Sequence, residues 1–74
     1  MKSLYIDSMK ISVCLARMKM TRSELCKHSG ISEANMSTIL KRGTARPKTA
    51  GLIADALGVD VTEIIVTEDV KKDG

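Results

Sequence analysis

Apolar residues along this chain recur mostly at helical spacing. Ile11, Cys14, Leu15 and Met18 fall at i, i+3, i+4 and i+7, the stripe of an amphipathic helix over about residues 8–18. Met36, Ile39 and Leu40 repeat the spacing further on, Ala50, Ile53, Ala54 and Leu57 give a third stripe, and Val61, Ile64 and Ile65 a short fourth. Ahead of them all, Leu4-Tyr5-Ile6 is a brief apolar run compatible with an extended segment or with an unwound start to the first helix.

Polar residues between the stripes mark where helices begin and end. In Met20-Thr21-Arg22-Ser23-Glu24-Leu25, Thr21 and Glu24 have capping-box spacing, and Met20 and Leu25 have the spacing of the accompanying hydrophobic staple. The second helix is therefore expected from Arg22 to about Ser29, stopped by Gly30. Ile31 and Ser32 repeat the signal at once, starting a third helix that runs from Glu33 through Leu40. Lys41-Arg42-Gly43-Thr44-Ala45-Arg46-Pro47-Lys48 reads as a loop, Gly58 closes a fourth helix, and Asp60-Val61-Thr62-Glu63 opens a short fifth. The expected fold is all-α, with five helices within residues 8–66, a lead-in over 1–7 and a polar tail over 67–74. Periodicity nominates Ile11, Cys14, Leu15, Met18, Leu25, Met36, Ile39, Ile53, Ala54, Leu57 and Ile64 as its core.

Composition narrows the function. A chain of 74 residues supports one small core, and its 18 Leu, Ile and Val residues are enough to form it. Tyr5 is the only aromatic residue, so there is no stacking platform for single-stranded nucleic acid. Cys14 and Cys26 lie in apolar-periodic positions, which suits buried thiols in a reducing, cytoplasmic compartment. Two Cys and one His do not complete a four-ligand zinc site, so neither a metal nor a cofactor is expected. His28 is the sole group titrating near neutrality, and no Gly-rich phosphate loop or nucleophile with an adjacent base is present, so the expectation is a protein without catalysis. No apolar run approaches the roughly 20 residues that cross a bilayer.

Charge distribution points to a partner. Residues 1–48 carry ten Lys and Arg against Asp7, Glu24 and Glu33, a net of +7, whereas residues 49–74 carry a net of −4. A polyanion is thereby directed at the first two thirds of the chain. Two helices joined by a short glycine turn, the second bearing a small polar outer face and followed by cations, form the helix-turn-helix pattern for the major groove of double-stranded DNA. Ala34, Ser37 and Thr38 keep that face slim while Met36, Ile39 and Leu40 hold the helix to the core. Glu33, Ala34, Asn35 and Thr38, supported by Ser37 and Lys41, are the candidate base readers. Arg22, Lys41, Arg42, Arg46 and Lys48 are the candidate phosphate contacts, with Lys2, Lys71 and Lys72 outside that set.

Taken together, Met20 to Cys26, Gly30-Ile31-Ser32, Met36-Ser37 with Ile39, Gly43, Pro47 and Ile53 to Val59 resemble the phage Cro and repressor type of helix-turn-helix regulators over about residues 9–66. The resemblance implies a compact five-helix domain that binds operator DNA, typically as a homodimer. Members of that family usually carry Gln where Arg22 stands, contacting a phosphate, and a small Ala where Cys26 stands. Glu33 and Leu40 depart from the family pattern, in which Gln or Arg and Glu are frequent at the matching positions. A dimer on DNA is expected, with Leu52, on the outer side of the fourth helix, as a candidate contact and the apolar ends Leu4-Tyr5-Ile6 and Ile65-Val66 as candidates for strand pairing. The leading reading is a small transcriptional regulator, a repressor of phage or mobile-element type. The alternative is a protein-interaction module such as the antitoxin of a toxin pair.

Overall fold

The computed structural model describes residues 3–66. In chain order they form strand β1 (Leu4–Tyr5), helices α1 (Ser8–Met18), α2 (Arg22–Ser29) and α3 (Glu33–Arg42), strand β2 (Thr44–Ala45), helix α4 (Pro47–Leu57) and a 3₁₀ turn at Val61–Glu63. Each helix start has a local cause. Asp7 caps α1 by accepting from the amides of Met9 and Lys10, at 3.0 and 3.2 Å. The capping box at α2 closes both ways: the Glu24 amide donates to Thr21 Oγ1 at 3.1 Å, and the Thr21 amide donates to Glu24 Oε1 at 2.8 Å. Ser32 caps α3 through the Asn35 amide, and α4 opens with Pro47 in its first turn.

The helices pack α4 against α2 and α1, with the 3₁₀ turn folded under α4. Ile11, Leu25, Met36, Ile53, Leu57 and Ile64 are the large side chains sealed at the centre, drawn from all four helices and from the residue after the 3₁₀ turn. Cys14 and Cys26 are both buried, and both are free thiols. Ile6, Ala45 and Ala50 join the core beside the residues that periodicity nominates.

Several expectations need correction. The fold is mostly helical rather than all-α, because β1 and β2 pair antiparallel with Leu4 opposite Ala45 and Tyr5 opposite Thr44. The extended alternative for the lead-in therefore holds. The other edge of that segment is also used: Ile6 bridges Ile65, the Asp7 amide donates to the Ile64 carbonyl, and the Val66 amide donates to the Tyr5 carbonyl, both at 2.9 Å. Thus the two apolar ends do meet as extended chain, within one molecule. This pairing explains why the described residues hold four α-helices and not five. Ile64, Ile65 and Val66 are β-branched and favour extended backbone, so the helix begun at Val61 ends after three residues.

The segment from Lys41 to Lys48 is more regular than a loop: Lys41 and Arg42 finish α3, Thr44 and Ala45 form β2, and Pro47 already belongs to α4. Met18 has the angular position of a core residue but is 51% exposed. It lies in the last turn of α1, beside a crevice edged by Leu57, Gly58 and Val59 at the end of α4. Leu15 is half-buried at the margin of the core. Among the described residues no helix is long and apolar enough to cross a membrane. The polar tail expected over 67–74 lies outside the described residues.

Candidate nucleic-acid interface

The two helices that define the interface are set at an angle by a turn of three residues. Gly30 adopts φ 77°, the left-handed conformation that glycine enters without strain, and its amide donates to the Cys26 carbonyl at 2.9 Å. Ser29 is buried beneath this turn and bridges it, its hydroxyl donating to the Cys26 carbonyl at 3.3 Å and accepting from the Ile31 amide at 3.4 Å. A buried hydroxyl satisfied on both sides fixes the exit from α2. Sequence reasoning does not select Ser29, because a serine before a helix-stop glycine is ordinarily a surface residue.

From that turn α3 directs Met36, Ile39 and the half-buried Leu40 inward, and leaves Glu33, Ala34, Asn35, Ser37, Thr38 and Lys41 exposed. At about 100° per residue, Ala34, Thr38 and Lys41 lie opposite the buried stripe, Glu33 and Ser37 to one side, and Asn35 and Arg42 to the other. Two of these side chains are tied. The Thr38 hydroxyl donates back to the Ala34 carbonyl at 3.0 Å. With its hydroxyl proton engaged by the helix, Thr38 presents chiefly its methyl group outward. The Ser23 hydroxyl, from α2, donates to Glu33 Oε2 at 3.0 Å. Burial, and after it the Glu33 carboxylate, pushes the Cys26 thiol above its ordinary value, with Arg22 opposing the shift.

Cations lie at the end of α3, at the start of α4 and at the start of α2. Arg22 is the first residue of α2, and its side chain is exposed beside the free amides of that helix start. Lys41 and Arg42 occupy the last turn of α3, while Arg46 and Lys48 flank Pro47 at the start of α4. Arg42 Nε donates to Thr44 Oγ1 at 3.1 Å, which steadies the guanidinium beside β2. Between the α2–α3 turn, the outer side of α3 and the start of α4 runs a groove of about 460 Å³, lined by Asn35, Thr38, Arg42, Arg46 and Thr49 together with Gly30, Ile31, Ile39 and Ala45. It is an open polar channel with two guanidinium groups on its walls. Arg46 also stands at the cap position of α4 without a side-chain hydrogen bond to its amides, so that helix start adds to the positive potential.

A family model for the Cro/C1-type helix-turn-helix DNA-binding domain matches residues 10–69. The chain belongs to that family. Neither the curated proteins nor the solved structures offer a match to it. As a Cro/C1-type domain it carries a DNA-binding unit, and α2 with α3 supplies the helix-turn-helix. The matched span takes in every candidate base reader and phosphate contact nominated from the sequence. Within it Glu33, Ala34, Asn35, Ser37, Thr38, Lys41 and Arg42 lie on α3, Arg46 shares the groove with Asn35, Thr38 and Arg42, and Arg22 opens α2. Lys48 is exposed one residue past Pro47, and Leu52 lies further along α4 on its outward side, 39% exposed. Ser23, Thr44 and Thr49 escape sequence reasoning. The first two are visible only through hydroxyl bonds to Glu33 and Arg42, and Thr49 only through its place on the groove wall. Among the described residues no group of His, Cys, Asp and Glu is assembled to hold a metal.

Proposed function

We propose that this protein is a sequence-specific regulator of transcription, acting as a repressor, that reads the major groove of double-stranded DNA with α3 and binds as a homodimer. The observation that carries the reading is the slim exposed face of α3, which shares an open polar groove with Arg42 and Arg46. A recognition helix must enter a groove about 12 Å wide, and the flanking cations then meet the two phosphate backbones. In this reading Arg22, Lys41, Arg42, Arg46 and Lys48 hold phosphates. Ala34 and the Thr38 methyl pack on thymine methyl groups, Glu33 accepts from a cytosine amino group, and Asn35, Ser37 and Lys41 reach the neighbouring edges.

One α3 spans too few base pairs for strong discrimination, and two copies bound on successive turns, about 34 Å apart, supply the rest. Selection of bound sequences from a random duplex pool tests the whole assignment. The expected motif has two-fold symmetry, and both Glu33→Gln and Thr38→Ala shift the preferred base at separate positions by about 1 to 3 kcal/mol of discrimination. An unchanged motif for both variants refutes reading by α3. Recovery of no motif at all refutes sequence-specific binding.

A further inference from the structure

Among the exposed face residues of α3, Glu33 is the one held from another helix. Its carboxylate receives the Ser23 hydroxyl at 3.0 Å across the helix-turn-helix, with both residues exposed at the surface. Ser23 follows Arg22 in the first turn of α2, and the Thr21–Glu24 capping box fixes that turn on either side of it. The anchor is therefore more rigid than an ordinary surface serine.

We infer that Ser23 is a specificity-positioning residue: its hydroxyl holds Glu33 Oε2 against α2 so that the remaining oxygen, Oε1, faces the base edge as a single fixed acceptor. This inference rests on the proposed reading of bases by Glu33. A free glutamate at the start of a helix samples several rotamers, and each places its negative charge against a different base or phosphate. Tied at one oxygen, it offers an acceptor at one place. Cytosine N4 meets that acceptor with a donor, whereas guanine presents acceptors at N7 and O6 and adenine presents N7 beside its amino group. The tie therefore raises discrimination for cytosine at one base pair. It contributes little to overall affinity, because a hydroxyl already engaged by Glu33 does not also donate to a phosphate.

The test compares bound-sequence selection and the salt dependence of binding for the wild type, Ser23→Ala, Ser23→Thr and Glu33→Gln. Ser23→Ala is expected to lower cytosine preference at the Glu33 position by about three- to tenfold, the worth of one hydrogen bond. Every other position, the salt slope and the melting temperature should stay as they were. Ser23→Thr, which keeps the hydroxyl, should restore the preference. A motif unchanged by Ser23→Ala while Glu33→Gln shifts it overturns the inference and leaves the base reading standing. Uniform weakening with a shallower salt slope also overturns it, and makes Ser23 a phosphate contact. If neither substitution moves any position, reading by Glu33 itself fails, and the inference falls with it.

Discussion

Glu24 is exposed, yet the Thr21 amide, and after it the Thr21 hydroxyl, hold its carboxyl below the ordinary value of 4.5. Asp60 is held below 3.8 in the same way by the hydroxyl and amide of Thr62. Both shifts are downward in the folded state. The stability they contribute is therefore fully present above the unfolded values and is lost as pH falls through the depressed folded values. Denaturation by urea should thus become easier below about pH 4.5, near the unfolded value of Glu24. Glu24→Gln should flatten that acid limb and lower the midpoint near pH 7 only modestly, since a neutral Gln still completes the capping box but without the charge. An acid limb equally steep in Glu24→Gln and wild type would show that the box does not report on folding.

The helices and their order are legible in the sequence because each is marked by an apolar stripe, by its caps, or by both. Leu25 illustrates the agreement: the staple from Met20 and helical spacing both nominate it, and it is fully buried on α2. Leu25→Ala should cost about 2 to 5 kcal/mol, comparable with the whole stability of a domain this small. The loss of helical circular dichroism at 25 °C is the measurement, and a variant as heat-stable as its parent would contradict the packing. What is not legible depends on partners distant in sequence. The end of α1 rests on Lys19 in the left-handed conformation, at φ 53°, where no glycine announces a stop. The strands are two residues each, too short for an alternating pattern to register, and the fifth helix gives way to pairing that only the folded chain brings about. The α3 face is found from its small residues, but the ties of Glu33 to Ser23 and of Arg42 to Thr44 are not, because hydroxyl partners leave no periodic trace.

Over the whole molecule, positive charge collects around α3 and the start of α4. Replacing Arg42 or Arg46 by Ala should reduce the slope of log affinity against log salt by about one unit for each phosphate that is no longer held, leaving the preferred sequence intact. Lys71→Ala should leave the slope unchanged, and the reverse pattern would move the docking face elsewhere. Assembly is tested at the same scale. Leu52 is exposed on α4, but Met9 and Val13, one turn apart on the outside of α1, are more exposed at 70% and 50%. Sedimentation of the duplex complex should give two protein chains per operator, and Leu52→Lys should weaken that pairing while Met9→Lys does not. The opposite result would shift the dimer surface to α1.

The double-edged pairing of Leu4 to Ile6 orders events in time as well as in space. Both of its neighbours, Gly43 to Ala45 and Ile64 to Val66, are far along the chain, and Lys10 reaches the Ile65 carbonyl across 55 residues of sequence. A nascent chain therefore exposes the first apolar strand long before anything exists to cover it. Contacts within each helix and between α2 and α3 are local and are expected to form first, whereas joining the strand to Ile64 and Val66 closes the longest loop and is expected to come last. Its contacts are then absent from the folding transition state. Ile6→Val should leave the refolding rate nearly unchanged and speed unfolding in proportion to the stability removed, giving a chevron displaced on its unfolding arm alone. On that outcome the strand is a latch, setting how long the folded DNA-binding domain persists more than how quickly it forms.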